Sequence, residues 1–127
     1  MSRPFEDLLA TASVRAVCVF SDHGVPIAEC KNYNKIGVAL PKLQGMLGCL
    51  NSSNVSEVIL FYFRYTLFLR VLGRRILLVV TEANANPSLI RMAIDISENR
   101  WKSQGIDKLF PTGNPVARRL WRRISRK

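Results

Sequence analysis

The chain has 127 residues, 48% of them hydrophobic, and a formal net charge of +10. That length fits one domain able to bury a core without disulfide or metal support, and the hydrophobic share excludes a disordered chain. The longest strongly apolar run, 58–63, is too short to span a bilayer, and Glu6 and Asp7 among the first apolar residues argue against a secretory leader.

The first segment reads as a short helix. Phe5, Leu8, Leu9 and Ala12 repeat at the spacing of one buried face, with Ser2 as cap and Pro4 in the first turn. Residues 14–20 are β-branched and aromatic and predict a strand. Asp22, His23 and Gly24 form a turn into a returning strand over 25–30, where Pro26 argues for an edge position or a strand start. A helix is expected over 34–50, with Ile36, Leu40, Leu43, Leu47 and Leu50 as its apolar stripe. Pro41 and the glycines at 37, 45 and 48 lie together beside that stripe. They read either as a face shaped for another backbone or as a kink near Pro41.

Strands over 55–63, 66–72 and 74–81 follow as an antiparallel meander, with turns at Arg64-Tyr65 and Gly73. Asn86-Pro87 opens a helix running to about Lys102. Its apolar face holds Leu89, Ile90, Ala93, Ile96 and Trp101, and Arg91, Asp95, Glu98 and Lys102 share the other side at ion-pair spacing. Two glycines and Pro111 mark 103–114 as a linker, which Leu109 and Phe110 pin to the body. Residues 115–127 form a last short helix. The expected organisation is a body over 1–103, a linker over 104–114 and a basic amphipathic helix over 115–127. The fold class is α+β, a mostly antiparallel five-stranded sheet in the order α-β-β-α-β-β-β-α plus the C-terminal basic helix.

At 21–28 the chain reads Ser-Asp-His-Gly-Val-Pro-Ile-Ala, a hairpin with an acidic residue and a glycine turn. At 77–81 it reads Leu-Leu-Val-Val-Thr, followed at 85–91 by Ala-Asn-Pro-Ser-Leu-Ile-Arg, a strand entering a helix. With the element order over 3–102, these stretches make the chain resemble the roadblock/LC7 family of longin-like modules. The resemblance implies a homodimer or heterodimer whose sheets join through the third strand while the second helices pack together. It also implies a scaffold or regulator of Ras-like GTPases, or a dynein or motility adaptor. The basic stretch after residue 103 lies outside the family core.

The run Val58, Ile59, Leu60, Phe61, Tyr62 and Phe63 is apolar or aromatic without alternation. Such a strand needs cover on both faces, and at a sheet edge its unpaired backbone is an aggregation hazard. Pairing with a second copy removes the edge, and Ile36, Leu40, Leu43 and Leu47 would cover the joined sheet. The other reading places this strand at the centre of one subunit.

Catalytic chemistry finds little support. His23 is the only histidine, and beside Asp22 it reads as a turn residue before it reads as an acid–base partner. Cys18, Cys30 and Cys49 have no metal-ligand spacing and fit reduced thiols in a cytoplasmic protein. No phosphate-binding GxxxxGK[ST] loop is present, so the chain is no P-loop GTPase. No enzyme activity and no cofactor or metal are expected.

The charge is uneven. Arg118, Arg119, Arg122, Arg123, Arg126 and Lys127 close the chain, and removing them leaves 13 basic against 9 acidic residues. At helical spacing these six oppose Val116, Ala117, Leu120, Trp121 and Ile124. Two readings stand for this tail. It docks on an anionic surface, giving a cytoplasmic protein peripheral to a membrane, or Leu120, Trp121 and Ile124 pack on the body. Arg64, Arg70, Arg74 and Arg75 read as a solvated sheet face or as a site for an acidic partner. Near Phe61, Tyr62, Phe63 and Tyr65 they also keep a nucleic-acid-binding protein as the alternative function.

Overall fold

The computed structural model describes residues 4–21, 26–29, 50 and 55–111. The turn at Asp22 to Gly24, the helix expected over 34–50 apart from Leu50, and the tail helix over 115–127 lie outside them.

A short α1 (Glu6–Ala10) leads into β1 (Val14–Ser21) and β2 (Pro26–Glu29). β3 (Glu57–Phe61), β4 (Tyr65–Leu72) and β5 (Arg75–Glu82) follow, then α2 (Pro87–Gln104) and α3 (Ile106–Leu109). The strands form one sheet in the order β2-β1-β5-β4-β3, antiparallel throughout. The expected α+β class and antiparallel five-stranded sheet are therefore observed.

Side chains alternate along the strands and build a core on each face of the sheet. On one face, Val17 and Val19 of β1, Phe68 of β4 and Leu77 and Val79 of β5 meet Leu8 of α1 and Ile90, Ile94 and Trp101 of α2. The other face gathers Cys18, Phe20, Leu67, Leu69, Leu78 and Val80 with Leu50. Strands β1, β5 and β4 are thus buried on both sides, which explains their near-continuous apolar runs. Pro26 is the first residue of β2, an outer strand, a position where a residue without an N–H is tolerated.

Asn86 caps α2, its side chain accepting from the Ser88 N–H at 3.0 Å, and Pro87 takes the first helical position. Rotation of α2 differs from the expected face. Ile90, Ile94, Ser97 and Trp101 point inward, while Leu89 and Ile96 are exposed. Apolar residues occur on several sides of this helix, so periodicity leaves its rotation open. The indole of Trp101 fixes it, donating to the Pro4 carbonyl at 3.0 Å and meeting Phe5 edge-on. Leu9 and Ala12 likewise face solvent, leaving Phe5 and Leu8 as the buried pair of the N-terminal segment.

The stretch read as a linker contains α3 and a fully buried Phe110. Phe110 stacks on Phe5 at 5.7 Å and meets Trp101 edge-on at 5.1 Å. Arg75, also buried, donates from Nε to the Phe110 carbonyl and from a terminal nitrogen to Asp107 at 2.7 Å. These ties make the chain through residue 110 part of the body.

Candidate functional site

β3 lies at the edge of the sheet and, among the described residues, pairs with β4 alone. Two backbone bonds fix which of its groups face inward. The Tyr62 N–H donates to the Tyr65 carbonyl at 2.9 Å, and the Val71 N–H donates to the Ser56 carbonyl at 2.8 Å. In an antiparallel ladder, hydrogen-bonded and non-hydrogen-bonded pairs alternate. Even-numbered residues of β3 therefore bond to β4, and the backbone groups of Glu57, Ile59 and Phe61 point away from the sheet.

The side chains make this edge apolar. Val58 and Leu60 pack toward one core and Ile59 toward the other, each half-buried. Phe61 is 69% exposed, and Tyr62 and Phe63 in the turn beyond are 46% and 95% exposed. The strand is shorter than the expected 55–63, since the chain leaves the ladder after Phe61 and Tyr62 and Phe63 enter the turn. Tyr65, expected in that turn, begins β4, where its ring lies 5.4 Å from that of Tyr62. The structure thus brings Val58, Ile59, Leu60, Phe61, Tyr62 and Phe63 together along an outer strand and its tip. Among the described residues the strand is outermost in the sheet rather than central. Ile36, Leu40, Leu43 and Leu47, and the basic tail with Trp121, lie outside the described residues.

The arginines do not form a free basic face. Arg70 is partly buried, its side chain 11% exposed, and donates to Glu57 at 2.6 Å, to Asp95, and to Glu98 at 3.5 Å. Burial works to lower its pKa, but the bonds to Glu57 and Asp95 outweigh this and hold it above the usual guanidinium value. Arg91 also reaches Glu57, at 2.9 Å, and Lys102 pairs with Glu98 at 2.8 Å. Ionic contacts expected along one helix therefore run mainly across to the sheet. Arg75 is committed to Asp107 and Phe110, which leaves Arg64 and Arg74 as the exposed members of the expected cluster. The Glu57–Arg70 pairing was legible as one opposite charge in each of two apolar strands that become neighbours.

An open cleft of about 350 Å³ lies between the β4–β5 turn, α2 and α3. Its charged groups are already matched as Arg75–Asp107 and Glu98–Lys102, leaving no unpaired acid or base to perform proton transfer. Among the described residues no group of three or more His, Cys, Asp or Glu could hold a metal ion. Among the described residues, the outer edge of β3 offers backbone groups that β4 does not use.

No family model matches the chain. No curated protein matches it either. Solved structures do. The roadblock/LC7 domain from Streptomyces avermitilis is 10% identical, over 78% of this chain and 91% of its own, at a TM-score of 0.57. MglB of Myxococcus xanthus is 13% identical, over 89% of each chain, at 0.63. A profilin from Schizosaccharomyces pombe is 10% identical, over 81% of this chain and 98% of its own, at 0.64. The fold is roadblock-like, and the profilin likeness shows that this framework extends beyond roadblock domains.

Proposed function

We propose that this chain is a non-catalytic interaction module that pairs with a second copy of itself along β3 and offers the joined assembly to a partner protein. The partner class is a Ras-like small GTPase or a motility or polarity complex, for which the chain acts as scaffold or regulator. The observation that carries the reading is the outer edge of β3, where Glu57, Ile59 and Phe61 turn their backbone groups outward along a half-buried apolar strand that ends in the exposed rings of Phe61, Tyr62 and Phe63. A two-fold axis through this edge would let the same residues exchange hydrogen bonds with themselves and make one continuous sheet. Exposed flat edges of this kind invite pairing, and symmetric pairing is the form that closes. The likeness to MglB and the roadblock domain supports the partner class. Any effect on GTP hydrolysis would come from repositioning groups within the GTPase. A cytoplasmic setting suits Cys18, a buried cysteine within β1.

Light scattering at micromolar concentration tests the pairing, with twice the chain mass expected and a monomer overturning it. Pull-down with the dimer then identifies the partner, expected to be a small GTPase or its complex. Turnover of a nucleotide by the purified chain alone would overturn the non-catalytic reading. Nucleic-acid binding is the alternative, resting on the basic tail with Arg64 and Arg74 because Arg70 and Arg75 are engaged. It predicts tight binding to nonspecific DNA or RNA that falls steeply with salt.

A further inference from the structure

The outer edge of β3 also carries the register in which a second copy fits it. Glu57, Ile59 and Phe61 turn their N–H and C=O groups outward, and the chain leaves the ladder after Phe61. In an antiparallel pair, outward residues exchange bonds only with outward residues of the facing strand. Centred on Ile59, a two-fold pairing sets Ile59 opposite its own copy and Glu57 opposite Phe61. All three outward residues are then bonded. Centred on Leu60, the pairing sets Ile59 opposite Phe61 and leaves Glu57 facing Phe63, beyond the end of the strand. Centred on Val58, it leaves Phe61 facing Val55, which precedes the strand. Axes at Glu57 or Phe61 pair still fewer strand residues. Covering a backbone group without bonding it costs free energy, so the Ile59 register is favoured.

The side chains agree. Glu57 and Ile59 lie on the face of the sheet that carries α2, where Glu57 accepts from Arg91 at 2.9 Å and Ile59 packs against the core. Phe61 shares their side of the strand, two residues further on. Directly opposed residues meet on the same face. In the Ile59 register the exposed ring of Phe61 therefore arrives beside Glu57 and Arg91 of the second copy. Arg91 is itself exposed, and its planar guanidinium suits an aromatic face. On the other face Val58, half-buried, meets Leu60 of the second copy at a non-hydrogen-bonded position, where side chains come closest. Resting on the pairing proposed above, we infer that the two-fold axis passes through Ile59 and that Phe61 of each copy stacks on Arg91 of the other. Arg91 thereby helps select a second copy as the strand that fits this edge, because Glu57 and Phe61 stand equally far on either side of the axis.

The test is disulfide cross-linking of the full chain with Cys18, Cys30 and Cys49 replaced by Ala, its dimeric state first checked by light scattering. Ile59→Cys should cross-link with itself, since Cα atoms at such a pair lie about 5.5 Å apart, within disulfide reach. Glu57→Cys and Phe61→Cys should each stay uncross-linked alone, their copies being about 14 Å apart at 3.4 Å per residue. Mixed together, those two should cross-link. A dimer that cross-links through Leu60→Cys or Val58→Cys instead overturns the register and leaves pairing along β3 standing. A dimer that cross-links at none of these positions overturns both, as does a monomer. Arg91→Ala in the otherwise unaltered chain should raise the dimer dissociation constant roughly two- to fivefold. Combined with Phe61→Leu, it should add little further, since both remove the same contact. Fully additive effects overturn the stacking of Phe61 on Arg91.

Discussion

Arg70 donates to Glu57 at 2.6 Å directly across the β3–β4 ladder, tying the outermost strand to the sheet and, through Asp95 and Glu98, to α2. The pair stands at a non-hydrogen-bonded position, where cross-strand side chains approach most closely. Replacing Arg70 with Ala leaves these carboxylates crowded together with less positive charge, at a cost of about 2–3 kcal/mol in urea unfolding. Glu57→Gln should cost less, about 1 kcal/mol, because Arg70 keeps Asp95 and Glu98. The raised pKa of Arg70 means its contribution is complete below the unfolded guanidinium value and is lost only as pH climbs through the folded one. Titration of Arg70 itself should therefore leave stability flat across neutral pH.

The edge of β3 makes a directional prediction about proline. The Phe61 N–H points outward, so Phe61→Pro removes a donor from the proposed dimer contact and none from the β4 ladder. Leu60→Pro removes an inward donor and breaks that ladder. The first variant should be a folded monomer by light scattering and circular dichroism. The second should lose about 3 kcal/mol or more of stability in urea unfolding. A Phe61→Pro protein that stays dimeric would remove β3 from the interface.

Much of the framework was legible because its signals are local. The β-branched runs of β1, β4 and β5, the glycine turn at Gly73, the edge proline Pro26 and the Asn86-Pro87 start each depend on a few neighbouring residues. What escaped depends on contacts distant in sequence. Trp101 sets the rotation of α2 through Pro4, 97 residues away. Arg75 meets Phe110 across 35 residues, so neither its burial nor the recruitment of the expected linker could be read from its own segment. The interface candidates at 58–63 were visible as one apolar run. Their edge position was not, because it depends on β1 pairing with β5, which among the described residues leaves β3 only β4.

Ser97 on the buried face of α2 has a hydroxyl with no hydrogen-bond partner. A buried unsatisfied hydroxyl costs about 1–3 kcal/mol, and Ala also has the better helix propensity. Ser97→Ala should raise stability by about 1 kcal/mol, which thermal unfolding would register as a Tm several degrees higher. A lower Tm would show that the hydroxyl is satisfied in solution.

Phe110 offers the sharpest test of where the folded body ends. It lies beyond α2 and α3, in a stretch whose glycines and Pro111 read as a connector, yet it is fully buried between Phe5 and Trp101. Its backbone carbonyl also accepts from the buried Arg75, so ring and main chain both close the end of the core. Truncating the ring to Ala removes an aromatic cluster member and leaves a cavity against Phe5 and Trp101, for a cost of about 3–5 kcal/mol. Leu109→Ala beside it should cost less, because Leu109 is only half-buried. Urea unfolding of both variants, followed by Trp101 fluorescence, measures the difference. A Phe110→Ala protein within about 0.5 kcal/mol of the parent would return this stretch to the status of a linker.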